Sequence, residues 1–154
     1  ISDKLKQIVS EEEFSDQMGR KKTEGFFNET LFVLFPVEKE GGTWQTWGSE
    51  ICEPLGVAEV EGTVTDNSES LFRPGRYKIK NSRVLSGESV SVSQVVFYSR
   101  DYILQAFPKE KIRACGLLEK VTHKKTKKIH YRLVIGYFDS YLNERREKEY
   151  IKKI

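Results

Sequence analysis

Basic side chains crowd one short segment of this sequence: Lys120, His123, Lys124, Lys125, Lys127, Lys128 and Arg132. Cations packed this closely can pair with phosphates and release their counterions. Tyr131, and Tyr137 and Phe138 beyond it, interleave aromatic rings that can stack on bases, as in single-strand-binding barrels. The same tyrosines alternate in a way that also fits a core face. The Arg145-Arg146 pair can extend the basic face. The expected partner of this segment is RNA, DNA or another phosphate-bearing ligand.

Other chemistry is scarce. There is no Gly-x-x-x-x-Gly-Lys-Ser/Thr loop for nucleotide phosphates and no Gly-x-Gly-x-x-Gly turn for a dinucleotide. His123 and His130 are the two histidines, and no further ligands lie beside them at a metal-binding spacing. His130 sits between Lys128 and Arg132, which suits a charged face better than a catalytic triad. Glu59 and Glu61 share one face of an expected strand. They and Asp66 are the first carboxylates to consider for a metal or for acid–base work, although surface solvation explains them as well. Cys52 and Cys115 are far apart and match no metal motif; two reduced thiols are expected. No catalytic residue, metal site or cofactor is assigned.

Trp44 and Trp47 flank Gln45-Thr46 after a Gly41-Gly42 loop. They can form a stacking platform, or a lid over a core. With the apolar run Leu31 to Phe35 they offer the alternative function, a protein-interaction or self-assembly module.

With 154 residues, the chain is expected to fold as one domain with an appended element. Apolar residues make up 38% and charged residues 32%, which argues against wholesale disorder. The net charge of +3 is mild, but it is unevenly distributed. Residues up to Glu69 lean acidic, and those from Arg73 onward are basic. No apolar run is long enough to span a bilayer, and Ile1 to Lys6 lacks the apolar stretch of a signal peptide. A cytoplasmic location without membrane contact is expected.

Ser10-Glu11-Glu12-Glu13 reads as a capping box opening a short helix, about Glu11 to Met18. Gly19 to Gly25 reads as an exposed loop. Residues 1–25 are therefore expected as helix and linker, and residues 26–154 as a β-rich domain. Thr30 to Val37 is a continuous apolar run, expected as a strand buried on both faces. Val57 to Thr65 alternates, with Ala58, Val60, Gly62 and Val64 facing one way and Val57, Glu59, Glu61 and Thr63 the other, as in a half-buried strand. Tyr77 to Lys80 and Val90 to Tyr98 are strand-like, separated by Ser86-Gly87-Glu88. Lys111 to Val121 and Ile129 to Tyr137 alternate and form a hairpin whose tip, Thr122 to Lys127, is a longer loop. The charges from Asn143 to Lys153 are spaced in a way that allows a C-terminal helix. The expected fold is mainly β, a barrel or sandwich of about six strands.

Glu61-Gly62-Thr63-Val64-Thr65-Asp66-Asn67-Ser68-Glu69-Ser70-Leu71-Phe72-Arg73-Pro74-Gly75-Arg76-Tyr77 is one distinctive stretch. Lys111-Ile112-Arg113-Ala114-Cys115-Gly116-Leu117-Leu118-Glu119-Lys120-Val121, followed by Tyr131 to Gly136, is another. Over about residues 55 to 137 the chain resembles the C-terminal β-rich part of archaeal predicted nucleotidyltransferases of the DNA polymerase beta superfamily. The motifs that carry the likeness are turns and strands. The superfamily's catalytic mark is a Gly-Ser followed by a strand with Asp-x-Asp. Gly48-Ser49 is the Gly-Ser of this chain, and no Asp-x-Asp follows it, so no catalytic residue carries over. The resemblance implies an accessory domain, with residues 1 to 14 as the end of a preceding catalytic domain. Any nucleotidyltransferase activity would then belong upstream.

Overall fold

The computed structural model describes residues 24–28, 30–33, 48–136 and 148–154. Two compact units are present, residues 1–37 and 38–154. The first contains an antiparallel pair, β1 (Glu24–Phe27) and β2 (Thr30–Val33). Asn28 follows β1 at φ 45°, a conformation asparagine tolerates better than most residues. Phe32 is 40% exposed, so the apolar run is not buried on both faces. A two-stranded ribbon has no second layer of its own to cover its outer side. The N-terminal helix expected over residues 11–18, and Trp44 and Trp47, lie outside the described residues.

The second unit contains β3 (Glu50–Asp66), β4 (Gly75–Ser86), β5 (Val92–Phe97), β6 (Lys111–His123), β7 (Ile129–Ile135) and β8 (Tyr150–Lys153). They form one sheet in the order β3-β4-β5-β7-β6-β8, and β3 also pairs with β6. That additional pairing closes a ring of five strands, with β8 attached to β6 outside it. All pairs are antiparallel except β5 with β7.

The alternation read from sequence governs which side chains turn inward. Ala58, Val60 and Val64 of β3, Ile112, Ala114 and Leu118 of β6, and Leu133 and Ile135 of β7 fill one core with Tyr77 and Phe97. Val96, Leu117 and Val134, one residue out of phase with these, form a small second cluster with Tyr98 on the opposite face.

Two strands differ from expectation. β3 begins at Glu50 and runs through Pro54 and Gly56 instead of starting near Val57. Gly56 adopts φ 101°, and the register against β6 shifts between Pro54 and Gly56. A bulge of this kind lets a strand pass a residue that would otherwise break it. Pro54 is tolerated because β4 joins β3 only from Glu59 onward, leaving one edge of that stretch unpaired by β4. The C-terminal helix is also corrected: Tyr150–Lys153 is a strand lying against Ile112–Cys115. Ile151 reaches the core while Lys152 and Lys153 are exposed. Alternation at this position outweighs charge spacing.

Between β5 and β6 the chain closes the ring's core with a short 3-10 turn at Arg100–Tyr102 and the buried Ile103 and Ala106. The Tyr77 hydroxyl organises this segment. It donates to the Tyr102 carbonyl and accepts from the Gln105 and Ala106 backbone N–H groups, at 3.0 and 3.4 Å. A buried phenol thereby satisfies backbone groups that no strand partner reaches.

Candidate nucleic-acid interface

The β6–β7 hairpin carries the basic segment. Its turn lacks Asn-Gly, so Lys127 supplies the left-handed residue at φ 58°. The His123 N–H donates to the Lys128 carbonyl at 2.9 Å, and the Lys127 N–H to the His123 carbonyl at 2.8 Å. The Thr126 N–H donates to His123 Nδ1 at 3.2 Å, and the Lys124 N–H to the Ser49 carbonyl at 2.8 Å. The tip is therefore held both from within and by Ser49, just before β3. Lys124, Lys125, Lys127 and Lys128 project from it, all exposed. Among the described residues no carboxylate pairs with any of them.

Two of the expected site residues behave differently. Lys120 lies 3.4 Å from Glu53 across the β3–β6 pair. Arg132 donates from Nε to Glu119 at 2.8 Å, has Glu50 at 3.8 Å, and donates to the Cys52 sulfur at 3.3 Å. Its guanidinium is committed to the sheet. Tyr131 packs against the core rather than offering a free ring. Tyr137, Phe138, Arg145 and Arg146 lie outside the described residues. His130 is half-buried, and that burial pushes its imidazole below the usual range.

An apolar shelf beside the lysines was not apparent from the sequence. Ile51 of β3 and Ile129 of β7 both lie opposite Thr122 of β6, from its two sides. Directly opposed residues share a face, so the two isoleucines flank Thr122 on one surface. They are 47% and 54% exposed. The β-branched character of Ile129 was legible, but its neighbour across the sheet comes from a strand whose first half was not.

The carboxylates considered for metal or acid–base chemistry are engaged elsewhere. Glu61 holds Arg113, with Nε at 2.8 Å, and has Arg83 at 3.7 Å. Asp66 accepts from the Ser68 N–H and from Lys78. These contacts, the Ser68 backbone bond foremost, hold its carboxyl down at about 2. Glu59 accepts from the Tyr150 hydroxyl. Among the described residues no group of three potential ligands could hold a metal ion. Cys52 and Cys115 are free thiols, both pushed up chiefly by burial.

The Tyr150–Glu59 contact predicts a pH effect. Loss of hydration, then the bond to Glu59, push the Tyr150 phenol up to about 12 from an ordinary 10.0. The folded value lies above the unfolded one. The stabilisation is therefore complete below pH about 10 and disappears as pH rises through about 12. Tyr150→Phe should remove this part of the alkaline loss, read as urea midpoints from pH 9 to about 12. Superimposable profiles for the two proteins would show that the contact contributes nothing.

Against known proteins, the chain is 29% identical over 133 residues to an uncharacterised protein of Methanocaldococcus jannaschii. The matched region covers 86% of this chain and 37% of that protein. The chain thus spans little more than a third of the relative's length. No family model matches the chain. No solved structure matches it.

Proposed function

We propose that this chain is a non-catalytic binding module that attaches to single-stranded RNA or DNA through the β6–β7 hairpin. The observation that carries the reading is the hairpin tip: Lys124, Lys125, Lys127 and Lys128 are exposed on a hydrogen-bonded turn, with no carboxylate partner among the described residues. Unneutralised lysines on a fixed support attract phosphates without first breaking an internal ion pair. Ile51 and Ile129 beside them offer apolar surface to bases that a duplex would keep stacked inside.

Strand order adds support. β3, β4 and β5 follow one another around the ring, β6 and β7 form a hairpin, and β7 runs parallel to β5 while β6 returns to β3. We read this as a small five-stranded barrel on the plan of oligonucleotide-binding folds. The resemblance over residues 55–137 supports placing the module beside a nucleotidyltransferase-like catalytic partner.

The test is a variant carrying Lys124→Gln, Lys125→Gln, Lys127→Asn and Lys128→Gln, with asparagine chosen to keep the left-handed turn. Binding of fluorescent oligo-dT and oligo-U is followed by polarisation across a salt series. Four lost contacts should reduce the slope of log K against log salt by about 3. An unchanged slope and affinity would refute the hairpin as the contact.

A further inference from the structure

A second basic surface lies along the outward face of β3, away from the hairpin tip. Thr63 of β3 has Lys80 of β4 directly opposite on one side and Lys111 of β6 on the other. Two residues earlier, Glu61 lies between Arg83 and Arg113, and Lys152 of β8 continues that row beyond Arg113. Directly opposed residues share a face, and like charges gathered on one are destabilising unless something compensates them. Here five cations surround one carboxylate. Glu61 is spent on Arg113 and Arg83. Glu59, next on the same face, is taken by Tyr150. Lys80 and Lys111 have no carboxylate partner among the described residues.

The surface is also shaped. Lys80 and Arg83 of β4 oppose Thr63 and Glu61 of β3, so β4 has one more residue here than β3, and its register shifts at this point. Asn81 takes up the irregularity at φ 51°. A bulge bends its strand and re-aims side chains. The result is an open cleft of about 250 Å³ lined by Glu61, Gly62, Thr63, Asn81, Arg83 and Lys111, with Ile154 at its edge. Lys80 and Lys111 stand roughly 10 Å apart across Thr63, two strand spacings. The Thr63 hydroxyl and the Asn81 amide add neutral hydrogen-bonding groups between the charges.

We infer that this cleft is a phosphate-binding site, separate from the hairpin, in which Lys111 and Arg83 of its lining, with Lys80 beside it opposite Thr63, neutralise the charge and Thr63 and Asn81 donate hydrogen bonds. Arg83 brings a forked donor suited to phosphate oxygens, and Glu61 orients it without satisfying it, at 3.7 Å. The shared chemistry is a phosphate group with more than one negative charge. Its source is a free nucleotide or the backbone of a bound strand.

Inorganic tripolyphosphate is the probe, titrated by calorimetry at low salt into wild type, Lys80→Gln/Lys111→Gln, and the hairpin variant. Wild type should bind. The cleft variant should lose about tenfold or more, and the hairpin variant should stay within about twofold. If ATP displaces tripolyphosphate and an oligonucleotide does not, a nucleotide supplies the phosphate. If the oligonucleotide displaces it, and the cleft variant lowers that oligonucleotide's salt slope by about 1.4, the strand backbone supplies it. Either result supports the site. Absence of tripolyphosphate binding overturns it, as do equal losses in both variants. On unmodified protein, tripolyphosphate should shift the amide resonances of residues 62–64 and 80–83; shifts confined to residues 122–129 overturn it too. Failure of the hairpin reading would look different, because oligonucleotide binding would then be indifferent to the tip lysines.

Discussion

Gly116→Ala should destabilise the protein by about 3 kcal/mol, the upper end of what overpacking a well-ordered core costs. A Cβ at Gly116 would meet the Val134 carbonyl oxygen at 2.5 Å, Ile135 Cγ1 at 2.7 Å and the Val134 carbonyl carbon at 3.2 Å. Two of those atoms are backbone, and that backbone cannot retreat. Val134 pairs with Leu117 of β6 on one side and with Val96 of the parallel strand β5 on the other. Moving β7 aside would break two ladders at once. Gly62→Ala supplies the contrast. Its new Cβ would meet Ile79 Cδ1 at 2.8 Å, the far end of a side chain that can rotate, and Ile79 Cβ at 3.2 Å, a contact that a shift of a few tenths of an ångström relieves. That substitution should cost nearer 1 kcal/mol. Urea unfolding with unchanged m-values would report both. Equal midpoints for Gly116→Ala and wild type would mean that β6 and β7 approach less closely than described.

Gly116 also shows how much of the fold was legible. Its place on one face with Ala114 and Leu118 followed from the alternation of Lys111 to Val121. The strand that makes a larger residue impossible there could not be read the same way. Alternation is local, so it located β6, β7 and parts of β3, and sorted their residues between two faces. Closure of the ring depends on β3 meeting β6, and on β5 meeting β7 in parallel, between segments far apart in sequence. Alternation does not reach the first part of β3, where Pro54 and Gly56 lie inside the strand and a bulge absorbs them. Charge spacing misled at the C-terminus, where Ile151 alternates into the core of a strand. The candidate interface divides along the same line. The tip lysines are neighbours in the chain and were visible as a cluster. The cations around Thr63 come from three strands and were not. Lys120 and Arg132 counted as free cations because Glu53 and Glu50 reach them from the part of β3 that lies before the alternation begins at Val57.

Arg132→Met should cost about 2 kcal/mol of stability and leave the salt dependence of nucleic-acid binding as it is. The side chains of Arg132, Glu119 and Glu50 are 21%, 13% and 18% exposed, between the surface and interior cases. Exposed ion pairs contribute under about 1 kcal/mol, whereas removing one member of a buried pair costs about 3–5. The intermediate figure follows from that exposure. Glu119 lies directly opposite Arg132 in the β6–β7 ladder, so the substitution leaves a carboxylate facing an apolar thioether, with Glu50 nearby. Removing that charge as well, in Arg132→Met/Glu119→Gln, should recover more than half of the loss. A double-mutant cycle isolates the pair from the packing of the new side chain. If Arg132 served the ligand instead, the single variant would keep its stability and lose affinity about tenfold, with a shallower salt slope. The expected pattern is the reverse. It would place Arg132 among the residues that hold the hairpin against β3, and leave phosphate binding to the lysines at its tip.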